Sequence, residues 1–450
     1  MENDQTTSNK ENLEQASSQT EELASTASFN PEDLQKEFQD LIEKRFGGHV
    51  KVMSMAGEMP FQSHIEEDEA ADSKEQEKLK KDILNFQYKP KDIKAYLDRF
   101  VIGQDEAKKA LSIAVCDHYN HLKSQQNSQT QDLNYQKQNV LLLGPTGVGK
   151  TYLVRLVSEL IGVPFVKADA TRFSEVGYMG ANVDDVIRDL VQIAEGDKIS
   201  AQSGIVYVDE VDKLASKRDH SGRDVSGRGV QFGFLRLLEN SDVDLNSSHD
   251  IASQFKTLMS FQKKGKADKD LVNTRNILFI FSGAFHGLEN IINTRLHKKA
   301  IGLHSKKMSL ENSEVLKLAE AQDLVEFGFE HEFIGRLPVR VSCDTLNESD
   351  LYQILTSTEH SIVNQYVGSF AHYGIQLKFS DVALKLLAKK AFTQKTGARG
   401  LTAVFEDLLR PFKFELPSTP LEVLEVSEEM VQNPQGYLHH LISAFQEPRH

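Results

Sequence analysis

The sequence predicts an α/β protein: a parallel sheet with flanking helices, followed by a smaller, mostly helical domain. Three observations carry this. The short apolar run Asn139-Val140-Leu141-Leu142-Leu143 passes directly into Gly144-Pro145-Thr146-Gly147-Val148-Gly149-Lys150-Thr151, and then into the helical pattern Tyr152 to Val157. Further apolar runs of four to six residues recur between helical segments, as strands buried on both faces do. From about Asn347 the strand signal fades and amphipathic helical patterns replace it.

The glycine stretch has the form G-x-x-x-x-G-K-T. Its glycines let the backbone fold tightly and turn N–H groups inward, where they cradle phosphates at a helix N-terminus. Lys150 is placed to reach the terminal phosphates, and the Thr151 hydroxyl to ligate Mg²⁺. A plain glycine turn would not need Lys-Thr at its end.

Composition narrows the classes. The 450 residues suffice for about three domains. Hydrophobic content of 39% and charged content of 26% are ordinary for a globular protein. No apolar run approaches the roughly 18 residues that span a membrane. The two cysteines, Cys116 and Cys343, form no C-x-x-C pair, which excludes a zinc site of that type and argues against a disulfide framework. Residues 1–80 hold 19 Asp+Glu against 8 Lys+Arg, so they carry −11 of the total net charge of −14. Such a distribution lacks the clustered positive charge of a nucleic-acid binder. The polar N-terminus has no apolar core of a secretory signal, so the cytoplasm is the expected compartment.

In chain order, residues 1–29 read as a disordered acidic tail. Residues 30–56 read as a small helix–strand unit, with Asn30 as N-cap, Pro31 at the first helical position and Gly47-Gly48 as the stop. It is either an appendage on the main body or a docking element. Residues 57–87 form an acidic linker, and residues 88–344 and 345–450 the two folded domains. Helices are expected over Lys91–Phe100 and Asp105–Leu122, then a polar loop over 123–137. Strands are expected at Val163–Val166, Gly204–Val208 and Asn276–Phe281. In the second domain helices are expected over 348–370, 380–391 and 399–412, with a short strand at Gln376–Phe379.

Val206-Tyr207-Val208-Asp209-Glu210 is an apolar strand ending in two carboxylates, about 60 residues after the glycine loop. Behind a phosphate loop, Asp209 would hold Mg²⁺ and Glu210 would orient and activate a water.

Four stretches in this order — Gly144 to Thr151, Asp209 to Lys213, Glu332 to Pro338, and Thr396 to Leu401 — together resemble the ClpX family of AAA+ unfoldases. Val101-Ile102-Gly103-Gln104 and Arg223 to Gly227 extend the match, which covers about residues 88–420. Ala170 to Leu190 and Ser282 to Phe285 are also similar to the sister family HslU. The resemblance implies an AAA+ fold and a homo-hexameric ring that hydrolyses ATP, with Mg²⁺, between subunits. Arg336 then matches the arginine finger serving the neighbouring subunit, and Arg399 the sensor-2 arginine of its own subunit. Val101 and Ile102 would pack on the adenine. Tyr178 and Met179, between glycines, match the pore loop that grips a substrate polypeptide, and Lys217, Arg218 and Arg223 fall where a second pore loop is expected. Ile301-Gly302-Leu303 stands where the family contacts a ClpP-like peptidase. No nucleic acid or membrane partner is implied.

The chain also departs from the family pattern. It cannot build the family's four-cysteine zinc domain, and residues 241–260 show no Arg-Lys-His gate loop. Arg228 stands where glutamate is usual. The expected function is an ATP-dependent protein unfoldase and translocase feeding a peptidase; the alternative is a remodeller that disassembles complexes without proteolysis. A nucleic-acid motor is disfavoured by the charge distribution. A binding module without turnover is disfavoured by the intact Lys150, Asp209, Glu210 and Arg336.

Overall fold

Val140-Leu141-Leu142-Leu143 alternates between two hydrophobic layers, and the rest of the molecule follows from that. In this computed structural model the described residues are 86–126, 136–174, 181–215, 226–245, 270–299 and 312–446, all within one compact unit, Asp68–His450. The N-terminal tail, the 30–56 unit, Tyr178, Met179, Lys217, Arg218, Arg223 and Ile301 to Leu303 lie outside them.

Five strands form one parallel sheet: β1 (Val140–Leu143), β2 (Phe165–Asp169), β3 (Ile205–Asp209), β6 (Leu278–Gly283) and β7 (Val339–Ser342), in the order β2-β3-β6-β1-β7. Two short strands, β4 (Asp242–Asp244) and β5 (Leu271–Asn273), pair antiparallel beside it. Successive side chains of a strand point to opposite faces. Accordingly Leu141, Leu143, Val206, Val208, Phe279 and Phe281 join one buried cluster, and Val140, Leu142, Ile205, Tyr207, Leu278 and Ile280 the other. This is why the strands read as unbroken apolar runs. Helices cover both faces, among them Asp105–Gln126 and Lys150–Ile161 on one side and Asp185–Ile193 and Ser226–Leu238 on the other.

The pairing register matters for the site. Leu143 lies opposite Gly283, and Val208 opposite Phe281, so the carboxyl ends of β1, β6 and β3 are neighbours. Ligands of open α/β sheets bind at that edge.

A third apolar cluster is built from Leu351 to Val431. It contains the helices Glu348–Thr356, Ile362–Ala371, Asp381–Thr393 and Arg399–Glu415, and a parallel strand pair, β8 (Gln376–Phe379) with β9 (Val423–Val426). The expected helix over 348–370 is two helices, because Ser361 caps a new start by accepting from the Asn364 N–H. Strand β2 begins later than expected: Pro164 offers no N–H to a ladder, and only its carbonyl joins, accepting from the Ile205 N–H at 2.9 Å. Both cysteines are free and buried, and burial pushes Cys116 to about 11 and Cys343 to about 12, so neither is a reactive thiol. No helix among the described residues is long and apolar enough to cross a membrane.

Candidate active site

The loop after β1 needs its glycines. Gly144, Gly147 and Gly149 have φ of 139°, 80° and 97°, in the half of backbone space that side chains disfavour. At Gly147 a Cβ would also run into the Thr396 carbonyl, and at Gly397 one would lie 2.7 Å from the Gly147 oxygen. The Ala398 N–H donates to that oxygen at 2.9 Å. The glycine loop and the start of the Arg399–Glu415 helix are therefore joined backbone to backbone.

Lys150 opens the helix Lys150–Ile161 and is only 9% exposed. Its ammonium donates to the Gly144 and Pro145 carbonyls at 2.6 and 2.8 Å. Burial lowers its proton affinity, while nearby Asp209 and Asp212 act the other way. The lysine is thus folded onto its own loop, where an incoming phosphate replaces two carbonyl oxygens with stronger acceptors.

Asp209 ends β3 and is held from several sides. The Ser282 hydroxyl donates to one oxygen at 2.6 Å, and the Glu210 N–H donates to the same oxygen at 3.0 Å. The Thr151 hydroxyl donates to the other at 3.2 Å. Tyr207 links the pair, its hydroxyl lying 3.0 Å from that of Thr151 and 2.6 Å from that of Ser282. Burial alone would push the Asp209 carboxyl up; the Ser282 and Glu210 hydrogen bonds, with Lys167 and Lys150 nearby, outweigh it and keep the group below the usual range. Thr151 and Asp209 therefore present two hard oxygen donors at hydrogen-bond distance, the set Mg²⁺ takes beside phosphates. Glu210 has φ of 56°, a strained conformation for a side-chain-bearing residue. Its carboxylate has no hydrogen bond or ion pair among the described residues. Asp212 braces the same edge by accepting from the Ala284 and Phe285 N–H groups, both at 3.2 Å.

These groups surround one cavity of about 420 Å³, walled by Thr146, Gly147, Gly149, Lys150, Thr151, Asp209, Glu210 and Arg399. A second, mainly apolar cavity of about 450 Å³ shares Thr146 and adds Pro145, Val148, Leu346, Leu351 and Phe392. Val101 is buried against the loop, 3.6 Å from where a Cβ on Gly149 would stand. Ile102 is half-buried, and neither it nor Val101 lines either cavity. Arg336 is not in either cavity. It follows the helix His331–Gly335, and its guanidinium donates to Glu239 at 2.6 Å. The buried Asn139 fixes its main chain, donating to the Arg336 carbonyl at 3.1 Å. Arg228 is on the helix Ser226–Leu238 and pairs with Glu330 at 2.7 Å, away from the cavity. The charge reversal there is absorbed by an acid of the same chain.

Sequence reasoning assigned no role to Ser282, Tyr207 or Asp212, nor to Thr402, which also lines the cavity. Ser282 had a signal, as the first polar residue after the apolar run that ends at Phe281.

The arrangement has counterparts. A family model described as an AAA domain of the Cdc48 subfamily matches residues 135–340, and one described as the C-terminal, D2-small domain of ClpB protein matches residues 346–416. The ATP-dependent Clp protease ATP-binding subunit ClpX of Borrelia duttonii is 40% identical over 350 residues, 76% of this chain and 78% of that protein. The protein of the same name from Azotobacter vinelandii is 41% identical over 342 residues, 74% of this chain and 75% of its own. The chain belongs to the ClpX family. It is an AAA+ ATPase, and the glycine loop and the sheet, up to the first half of β7, fall inside the first matched segment. In this ClpX-family chain the second matched segment begins two residues before the helix Glu348–Thr356, and it contains Thr396 to Ala398, which touch the loop.

Proposed function

We propose that the protein is an ATP-driven unfoldase that threads polypeptides through the pore of a homo-hexameric ring and delivers them to a ClpP-like peptidase. The observation that carries this reading is the division of the arginines: Arg399 shares the cavity of Lys150, Asp209 and Glu210, whereas Arg336 stands outside it and is available to a neighbour. In this reading residues 88–344 are the large ATPase domain and 345–450 the small one. ATP is the substrate, its phosphates on the 144–151 backbone and Lys150, its base against Val101 and the apolar cavity. Thr151 and Asp209 would hold Mg²⁺, which would supply positive charge to neutralise that on the phosphates. Glu210, whose carboxylate has no partner among the described residues, accepts the proton of the attacking water. The Gly147–Ala398 hydrogen bond ties the loop to the small domain, so a change at the phosphates moves it.

The test is degradation of a tagged, folded reporter with and without a ClpP-like peptidase. Two substitutions resolve its steps. Tyr178→Ala should cut reporter unfolding about tenfold or more while ATP hydrolysis stays within about twofold, because an aromatic paddle is removed and the hydrolytic site is not; equal losses of both would count against a pore role. Ile301→Glu should abolish peptidase stimulation with ATPase and unfolding intact, since an apolar anchor in the basic run Lys298 to Ser305 is replaced by a charge. Six such anchors on a ring would act by avidity. Coupling that survives Ile301→Glu removes Ile301 from the peptidase contact, and a wild-type chain that stimulates no ClpP-like peptidase favours the remodelling chaperone instead.

A further inference from the structure

Lys137 lies just before β1, at the opposite end of that strand from the glycine loop. Its ammonium sits 4.9 Å from the centre of the Phe279 ring and donates to the Thr274 carbonyl at 3.1 Å. It has no carboxylate partner among the described residues. It opens on a cavity of about 360 Å³ whose wall also carries Arg275, Arg336, His118, His121 and Glu239. Arg275 is exposed and its guanidinium likewise has no acid partner among the described residues. Glu239 is the one carboxylate of the wall and is already engaged by Arg336. His118 bonds the Asn276 carbonyl through Nε2, and burial, with Lys137 beside it, keeps the ring neutral. The wall thus holds three cations against one acid. An ammonium withdrawn from water without a counter-ion is costly, and burial pushes Lys137 down to about 7.

We propose that this cavity is an oxyanion site, separate from the nucleotide cavity, in which Lys137 and Arg275 hold a phosphate-like tetrahedral anion beside Arg336. The anion supplies the counter-charge Lys137 lacks, and the Arg275 fork suits two of its oxygens. It is either free orthophosphate or the terminal phosphate of a nucleotide on a second copy of this chain; only the latter rests on the proposed role of Arg336.

Inorganic sulfate, which does not titrate here, is the probe. It is titrated calorimetrically into the Lys150→Ala chain, whose glycine loop has lost its own cation, at pH 6 and pH 8. Lys137→Met in that background should weaken binding at pH 6 at least about tenfold, and Lys137 should lose about tenfold in affinity from pH 6 to pH 8 as the ammonium deprotonates. Arginines stay charged across that window and His118 stays neutral. His121 faces the same cavity, so His121→Gln is measured beside it and should retain the pH dependence. Lys137→Met removes an unpaired charge and keeps an unbranched side chain only one atom shorter, so the fold should survive. In the otherwise wild-type chain, a tenfold loss of ATP turnover on Lys137→Met with unchanged ATP affinity assigns the anion to a second copy's nucleotide. Unchanged turnover with Lys137-dependent sulfate binding assigns it to free orthophosphate. Sulfate that binds equally with and without Lys137, or not at all at pH 6, overturns the proposal. Sulfate binding by a single chain needs no ring, so failure of the arginine-finger reading would leave this result standing.

Discussion

Glu210→Gln should leave ATP bound and nearly stop its hydrolysis. The expected loss of turnover is about 10²–10⁴-fold, the range for removing a positioned general base. The contrast with Asp209 is the reason. Asp209 is fixed by the Ser282 and Thr151 hydroxyls and the Glu210 N–H, so it is occupied as a structural and metal-facing acid. Glu210, one residue on, is turned into the cavity by its left-handed backbone and its carboxylate has no partner among the described residues. Glutamine keeps the shape and the main-chain hydrogen bond to Asp209 but accepts no proton. Binding of a fluorescent ATP analogue should stay within about twofold of wild type, with phosphate release measured alongside. Release within a few-fold of wild type would remove Glu210 from the reaction.

What could be read in advance follows a physical division. β1 and the glycine loop were legible because an apolar run buried on both faces is also a continuous run in sequence. The start of the last long helix at Arg399 was legible from the local words around it. Edge strands were less so: β2, expected at Val163–Val166, continues through Lys167 and Asp169, and β7, which was not expected, carries Arg340, because an edge position leaves side chains in water. β4 and β5 are three residues each and pair across a long separation, which no local pattern records. The site divides in the same way. Lys150, Thr151, Asp209 and Glu210 sit in contiguous motifs. Ser282 joins them only because β6 lies between β1 and β3, a fact of sheet order. The contact of Gly147 with Thr396 and Ala398 spans some 250 residues of chain and is likewise a tertiary fact.

Arg336→Ala should bind nucleotide normally and lose hydrolysis by about 10³-fold, the lower end of what an arginine finger supplies. The geometry sets this expectation apart from a general loss of stability. Arg336 and Glu239 form a half-exposed ion pair, of the kind that adds little to folding. Its main chain is held independently, through the Asn139 amide on its carbonyl. Alanine therefore leaves the backbone tethered and removes only the guanidinium. In a ring that guanidinium would exchange Glu239 for the more concentrated charge of a neighbour's phosphates. The decisive measurement mixes Arg336→Ala with Glu210→Gln, each inactive alone. An interface that sets the intact arginine of a Glu210→Gln subunit against the intact Glu210 of an Arg336→Ala subunit is complete, so the mixture should regain ATPase activity that neither parent has. No rescue would mean that Arg336 serves its own subunit or none. Normal hydrolysis by Arg336→Ala as a monomer would remove the ring interface from the mechanism altogether.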